Sequence, residues 1–275
     1  MKQDRKLPTY LLLLVVLVLL HQGIRKQVSG VGIDTDTYLN ASRTFWSSGN
    51  PWAPTEFFAY IYPPFLAFVL WPLTCFSRSM SGCLWVALQF GALCIVFDRY
   101  LLPGRQWGQK QRWQALAMLT VSFPVLQNEF KNGQVNLLVL ALVVIACEGS
   151  RRLKGWPLGL AIGVKLTPLF VIPYLACRKR YRDILTAMFA FVLSLSIPLW
   201  IGGTEVRAGF GTYLEHMVVG GGHGSRRTFN LSAHLEGWTG PSIGGVPIHL
   251  LCAALLLGGI VFLDMTRAAP ERSAR

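Results

Sequence analysis

Four groups of residues in this sequence have the types and spacing to do chemistry. The first is Lys165, set inside the apolar run Trp156–Cys177 and followed by Leu166, Thr167 and Pro168. A cation with apolar residues on both sides costs a few kcal/mol in a bilayer unless it snorkels, pairs or faces water. Proline three residues later breaks the helix, which is tolerated only where protein or a wet cavity takes up the freed carbonyls. Lys165 therefore reads as a cation that meets something anionic, with snorkelling to the headgroups as the plain alternative. The second group is Asn132-Gly133-Gln134-Val135-Asn136, a polar cluster at the start of another apolar run; interfacial capping is its plain alternative. The third is a set of carboxylates in two polar stretches: Asp34, Asp36 and Glu56 in residues 23–56, and Glu205, Glu215 and Glu236 in residues 202–245. A general base working at a membrane face would come from these. The fourth is Gly220–Arg227, where glycines let backbone amides approach an anion and His223, Arg226 and Arg227 add donors. A flexible, solvated loop is the alternative there.

Asp34-Thr35-Asp36 has the form of a D-x-D motif, which in soluble nucleotide-sugar transferases holds a divalent metal. The chain has no room for a soluble nucleotide-binding domain, so no metal is assigned and none is expected; ordinary loop or cap residues are the alternative. The six cysteines lie in or beside apolar runs, form no C-x-x-C pair, and read as small core residues.

The elements that must position these groups are membrane helices. Of 275 residues, 52% are hydrophobic and only 14% charged, well below the charge content of a soluble domain. The net charge of +13 would suggest nucleic acid in a soluble protein; here the basic residues sit between apolar runs, so lipid headgroups and lipid phosphates are the expected partners and nucleic acid is not. The chain reads as an all-α, multi-pass protein of the cell membrane, one integral domain over residues 1–275 with about eight transmembrane or re-entrant segments.

In chain order the expected crossings are 7–20 (an uncleaved first span), 57–76, 83–97, the short runs 113–126 and 135–147, 156–177, 184–201 and 248–265. A short surface helix is expected from Tyr38 to Trp46, capped by Thr35 or Asp36. The long polar stretches 23–56 and 202–245 are expected to share the outer face. Lys and Arg fall almost evenly on the two sides of a strictly alternating arrangement, so the positive-inside rule does not decide the topology.

These pieces, in this order, resemble the polyprenol-phosphate-mannose-dependent mannosyltransferases of glycosyltransferase family 87, which have the multi-spanning GT-C architecture. The resemblance is carried by Asp34-x-x-x-Tyr38-x-x-Ala41, Gly49-Asn50-Pro51-Trp52, Tyr62-Pro63-Pro64, Asn132-Gly133-Gln134-Val135-Asn136, and Gly159 through Lys165-Leu166-Thr167-Pro168 with the basic run after it. Asn230-Leu231-Ser232 resembles a late asparagine-serine motif. The match covers roughly residues 7 to 235.

The resemblance implies a GT-C-like bundle, a lipid-linked sugar donor and a lipid or glycan acceptor, with no cofactor. It implies Asp34 as catalytic base, chosen over Asp36 by its spacing to Tyr38. It also implies substrate contacts from Tyr38, Tyr62, Asn132, Gln134, Asn136, Lys165 and Asn230, and an inverting displacement of mannose. Asp36, His223, Arg226 and Arg227 are further expected substrate contacts, read from their own residue types and not from the resemblance. Such enzymes continue through further spans, so an acceptor-side wall that is missing, lost with activity or supplied by a membrane protein partner is also expected. Two other readings compete: a transporter or flippase for a polyprenyl or sugar lipid, and an inactive scaffold in envelope assembly.

Overall fold

The computed structural model describes residues 7–30, 32–47, 49–53, 60–101, 108–148 and 155–219. Among them every regular element is a helix. In chain order these are α1 (Leu7–Val28), α2 (Ile33–Ser47), α3 (Pro64–Val69), α4 (Trp71–Thr74), α5 (Arg78–Val96, running on into a π-helical turn Phe97–Leu101), α6 (Gln109–Asn132), α7 (Asn136–Glu148), α8 (Gly155–Val164), a 3-10 turn (Thr167–Phe170), α9 (Val171–Cys177), α10 (Tyr181–Ile201) and α11 (Gly203–Val219).

Among the described residues, α1, α5 with its extension, and α10 are long and apolar enough to cross a membrane, and α6 with α7 makes a fourth if the bent pair is one span. At 1.5 Å per residue, α1 rises about 33 Å, close to the thickness of a bilayer's hydrocarbon core. Its apolar run continues helical past Leu20 to Arg25 and Lys26, whose charges suit a helix C-terminus.

Several expected crossings take a different form. Within 57–76, of which the structure describes 60–76, the chain forms only α3 and α4, six and four residues long. Pro64 and Pro72 sit in the first turn of each, where a missing N–H costs least, so each starts a new helix rather than extending one. Runs 113–126 and 135–147 are the cores of α6 and α7, which meet at a bend of 116°. Segment 156–177 breaks after Val164 into the 3-10 turn and α9, at the Lys165–Pro168 stretch that foretold it. The polar stretch 202–245 is no plain loop, since α11 occupies its first part. The expected last span, 248–265, lies outside the described residues. Cys75, Cys94 and Cys177 are exposed free thiols rather than core residues.

The chain divides into two compact units, Met1–Pro168 with Leu185–Phe210, and Leu169–Ile184 with Gly211–Arg275. In the second, α9 ends in a turn where Lys179 takes a positive φ of 55° and Arg180 pairs with Asp183 at 2.6 Å. The first unit has two apolar clusters. One joins α1, α5, α6 and α7 through Leu19, Val86, Leu93, Leu126, Phe130 and Leu137. The other surrounds α2, whose Tyr38, Ala41 and Phe45 pack with Leu66, Trp85, Val135, Ala161 and Val206. The expected surface helix is therefore a core helix, because its apolar face is covered by protein.

The α6–α7 bend has a definite cause. Gly133 closes α6 in the left-handed region, φ 72°, with its N–H bonded to Glu129 O at 2.9 Å. From α5, Trp85 Nε1 donates to Gly133 O at 2.7 Å, and Gln89 Nε2 donates to Glu129 O at 2.9 Å and Gln134 O at 2.8 Å. These bonds satisfy carbonyls that the broken helix leaves open, which would be costly to leave unpaired in apolar surroundings. A Cβ at Gly133 would lie 1.7 Å from Thr35 Oγ1, so the bend also abuts the first turn of α2.

Gly133→Ala meets both the left-handed backbone and this clash. It should destabilise the protein by at least about 2 kcal/mol, seen as a lowered thermal midpoint in detergent. Gly91→Ala, with open space around it, should leave the midpoint unchanged or raise it. Equal midpoints for Gly133→Ala and the unmodified protein would contradict this account of the bend.

Candidate active site

The carboxylates of α2 lie in its first turn, where negative charge is stabilised by the helix N-terminus. They belong to the helix itself, which begins at Ile33 rather than near Tyr38. One turn fixes them in different surroundings. Asp36 forms an ion pair with Arg78 Nε at the start of α5, the side chains 28% and 25% exposed. Arg78 Nη2 also reaches Gln27 Oε1 of α1 at 3.4 Å, and Gln27 Nε2 donates to Lys131 O of α6 at 3.3 Å. Asp36 thus ties α2 to α5, and through Arg78 to α1 and α6.

Asp34, two residues earlier, points to the other group. It is half-buried, and burial pushes its carboxyl up from the ordinary value; a hydrogen bond from the Gln134 side chain and the positive charge of Lys165 pull the other way. Gln134 Oε1 accepts from Asn136 Nδ2 at 2.8 Å, which leaves the Gln134 amide nitrogen to donate to Asp34. Asn136 Nδ2 also donates to Glu129 Oε1 at 2.7 Å, and Asn136 Oδ1 accepts from Lys165 Nζ at 2.7 Å. The chain of contacts runs Asp34, Gln134, Asn136, and then divides to Glu129 and Lys165. Four elements supply it: α2, the end of α6, the start of α7, and the break after α8. Asp34 and Glu129 are the acidic neighbours of the Lys165 charge.

Tyrosines form the adjoining wall. Tyr38 is 1% exposed and its hydroxyl donates to Tyr62 at 3.1 Å. Burial is the main cause that raises both phenols above their ordinary value, so both are neutral hydroxyls at physiological pH. Lys165 Nζ sits 5.9 Å from the centre of the Tyr62 ring, within cation–π range. Trp52 Nε1 donates to Tyr62 O at 3.1 Å, which joins the Gly49–Trp52 and Tyr62–Pro64 pieces.

Of the residues singled out from sequence, Asp34, Tyr38, Tyr62, Gln134, Asn136 and Lys165 come together. Asn132 does not; its side chain bonds Asn128 Oδ1 at 2.9 Å on the exposed side of α6. Glu205 is exposed in the first turn of α11. His223, Arg226, Arg227, Asn230, Glu56 and Glu236 lie outside the described residues. Among the described residues no three His, Cys, Asp or Glu side chains group as a metal site.

Glu129 is the member that sequence reading misses. It is 7% exposed, with Oε2 buried and unpartnered among the described residues. An unpaired buried acceptor costs about 1–3 kcal/mol, more if charged, so it stands out as a functional candidate. The available signal was an acid one turn before Asn132-Gly133-Gln134-Val135-Asn136, in a chain with only 13 acids.

The sequence model of glycosyltransferase family 87 matches residues 60–275. That range contains Tyr62, Glu129, Gln134, Asn136 and Lys165; Asp34 and Tyr38 precede it. The chain is 28% identical over 158 residues to the polyprenol-phosphate-mannose-dependent alpha-(1-2)-phosphatidylinositol pentamannoside mannosyltransferase of Mycolicibacterium smegmatis, covering 55% of this chain and 37% of the relative. It is 29% identical over 154 residues to the protein of the same name from Mycobacterium tuberculosis, covering 54% and 35%. A phosphatidylinositol mannoside mannosyltransferase of M. smegmatis, also polyprenol-phosphate-mannose-dependent, is 27% identical over 191 residues, 60% of this chain and 43% of the relative. The chain therefore spans less than half the length of the curated relatives it matches. No solved structure matches it.

The Asp36–Arg78 contact predicts a coupled pair. Asp36→Asn and Arg78→Gln should each lower the thermal midpoint in detergent. The double variant should cost less than the sum, with a coupling of about 0.5–3 kcal/mol. Strict additivity would show that the ion pair does not join α2 to α5.

Proposed function

This chain belongs to glycosyltransferase family 87, and on that premise we propose that it is a membrane glycosyltransferase that moves mannose from a polyprenyl-phosphate donor to a lipid-linked acceptor. The donor and acceptor classes come from the names of its relatives. The observation that carries the residue assignment is the different fate of the two α2 carboxylates. Asp36 is held by Arg78, whereas Asp34 is held by a neutral amide with a lysine nearby. A base must be able to give up one partner and take a proton, which suits Asp34.

The step is a single displacement at the sugar's anomeric carbon. The acceptor oxygen forms the new glycosidic bond as the bond from that carbon to the phosphate oxygen breaks. Asp34 takes the acceptor hydroxyl's proton, and polyprenyl phosphate leaves with the electron pair. Lys165 stabilises the charge that develops on the departing phosphate, a role for which a fixed cation is worth most where water is excluded. Attack opposite the leaving group inverts the anomeric centre, from a β-linked donor to an α-linked product. The site works at the outer face of the membrane, where a lipid-linked donor presents its sugar.

Asp34→Asn keeps the shape and removes the basic oxygen. It should lower turnover about 100- to 10,000-fold, the usual contribution of a positioned base, in an assay of labelled polyprenyl-phosphate mannose with membrane lipid acceptors. Asp36→Asn should lose much less per folded molecule. The acid limb of the rate profile reports Asp34, since activity falls as pH drops through the pKa of a base. The Gln134 bond lowers that pKa, so Gln134→Leu should move the acid limb to higher pH. A limb that stays fixed, or full activity in Asp34→Asn, would remove Asp34 from this role. Product formation in detergent, without sealed vesicles, separates a transferase from a transporter.

A further inference from the structure

We propose that Glu129 is a sugar-hydroxyl receptor of this site, its Oε2 accepting a hydrogen bond from the mannosyl group of the donor. The inference rests on the donor class proposed above. It starts from an asymmetry within one side chain. Oε1 is fixed by Asn136 Nδ2 at 2.7 Å. Oε2 is buried with no hydrogen-bond partner among the described residues, on a residue only 7% exposed. Half the carboxylate is thus tied down by the protein and half is left as an acceptor.

What surrounds it selects the ligand chemistry. The Asn136 amide that holds Oε1 also receives Lys165 Nζ, and Asp34 lies within electrostatic range of Glu129. Glu129 therefore stands one hydrogen-bonded residue from the cation assigned to the phosphate, and near the base. A phosphate oxygen would be repelled from a second acceptor. A hydroxyl is a donor and fits, and a hexose joined to that phosphate carries several within a few ångströms of it. Backbone geometry keeps the acceptor in place: Glu129 O caps the end of α6 through Gly133 N and Gln134 N, and accepts from Gln89 of α5. This residue is a contact for the donor's sugar; the proton and the leaving group are handled elsewhere.

The test is equilibrium binding to the full chain in detergent. The probes are polyprenyl-phosphate mannose, its mono-deoxy analogues, and the same polyprenyl phosphate without sugar. The unmodified protein should bind the mannosyl lipid more tightly than the bare lipid. Glu129→Gln, which replaces one acceptor oxygen by a donor, should weaken the mannosyl lipid about 10- to 100-fold and leave the bare lipid unchanged. One deoxy analogue should show the same loss on the unmodified protein and no further loss on Glu129→Gln. Asp34→Asn should keep the preference for the mannosyl lipid, so a failure of the base assignment shows up separately, as retained turnover in that variant. Unchanged discrimination in Glu129→Gln would overturn the proposal, as would a loss confined to the bare phosphate lipid, which would make Glu129 a support for Lys165. If Glu129→Gln does not fold, the deoxy series on the unmodified protein decides: no analogue weakened about 10-fold means no such receptor.

Discussion

A lysine ammonium inside an apolar segment has to be neutralised or hydrogen-bonded, and the geometry around Lys165 follows from that need. The backbone gives way first: α8 stops at Val164, and Pro168 helps keep the chain from resuming a regular helix at once. The side chain then meets Asn136 Oδ1 at 2.7 Å and the face of Tyr62, with Glu129 and Asp34 as counter-charges. Each partner lies on a different element, so satisfying one cation brings four parts of the chain to one place. Removing any acidic member leaves a charge with less compensation in a medium of low dielectric, where such losses are large.

The second constraint is backbone satisfaction at the α6–α7 bend. Gly133 and Gln134 leave the helix among apolar helices, yet their carbonyls find Trp85 and Gln89. The bend carries Glu129 on its first arm and Asn136 on its second, so the hydrogen bonds that hold it also set the separation of those two side chains. Close packing does the corresponding work at α8 and α10. Gly159 and Gly163 face Ala187, Ala190 and Ser194, and a Cβ on either glycine would lie under 3 Å from its neighbours. That contact fixes α8, and with it the stretch that ends in Lys165.

How much of this could be read in advance depended on range. Composition and run length gave an all-helical membrane protein, because apolar helices announce themselves locally. Lys165 with Pro168, and the Asn132–Asn136 cluster, were legible as breaks for the same reason. Asp34 was favoured over Asp36 only through the family spacing to Tyr38; the Arg78 partner that sets Asp36 apart lies 42 residues away in sequence, where no local pattern reveals it. Residues 57–76 looked like a crossing because run length does not register that Pro64 and Pro72 restart the helix. The polar face of α2 suggested a surface helix; its burial depends on aromatic partners such as Trp85 and Tyr60 that periodicity cannot assign. Glu129 was passed over because a lone acid in a mostly polar helix end carries no pattern of its own.

The central claim is that one polar network holds the lipid-linked donor, with Lys165 at the phosphate and Glu129 at the sugar, and sets Asp34 where the acceptor hydroxyl arrives. A cryo-electron microscopy map of the full chain in lipid nanodiscs, bound to a non-reactive phosphonate analogue of polyprenyl-phosphate mannose, tests it directly. The account predicts phosphonate density within about 3 Å of Lys165 Nζ, with the sugar between the Asp34 and Glu129 carboxylates. A headgroup bound away from Lys165, with no sugar near Glu129 or Asp34, would contradict it.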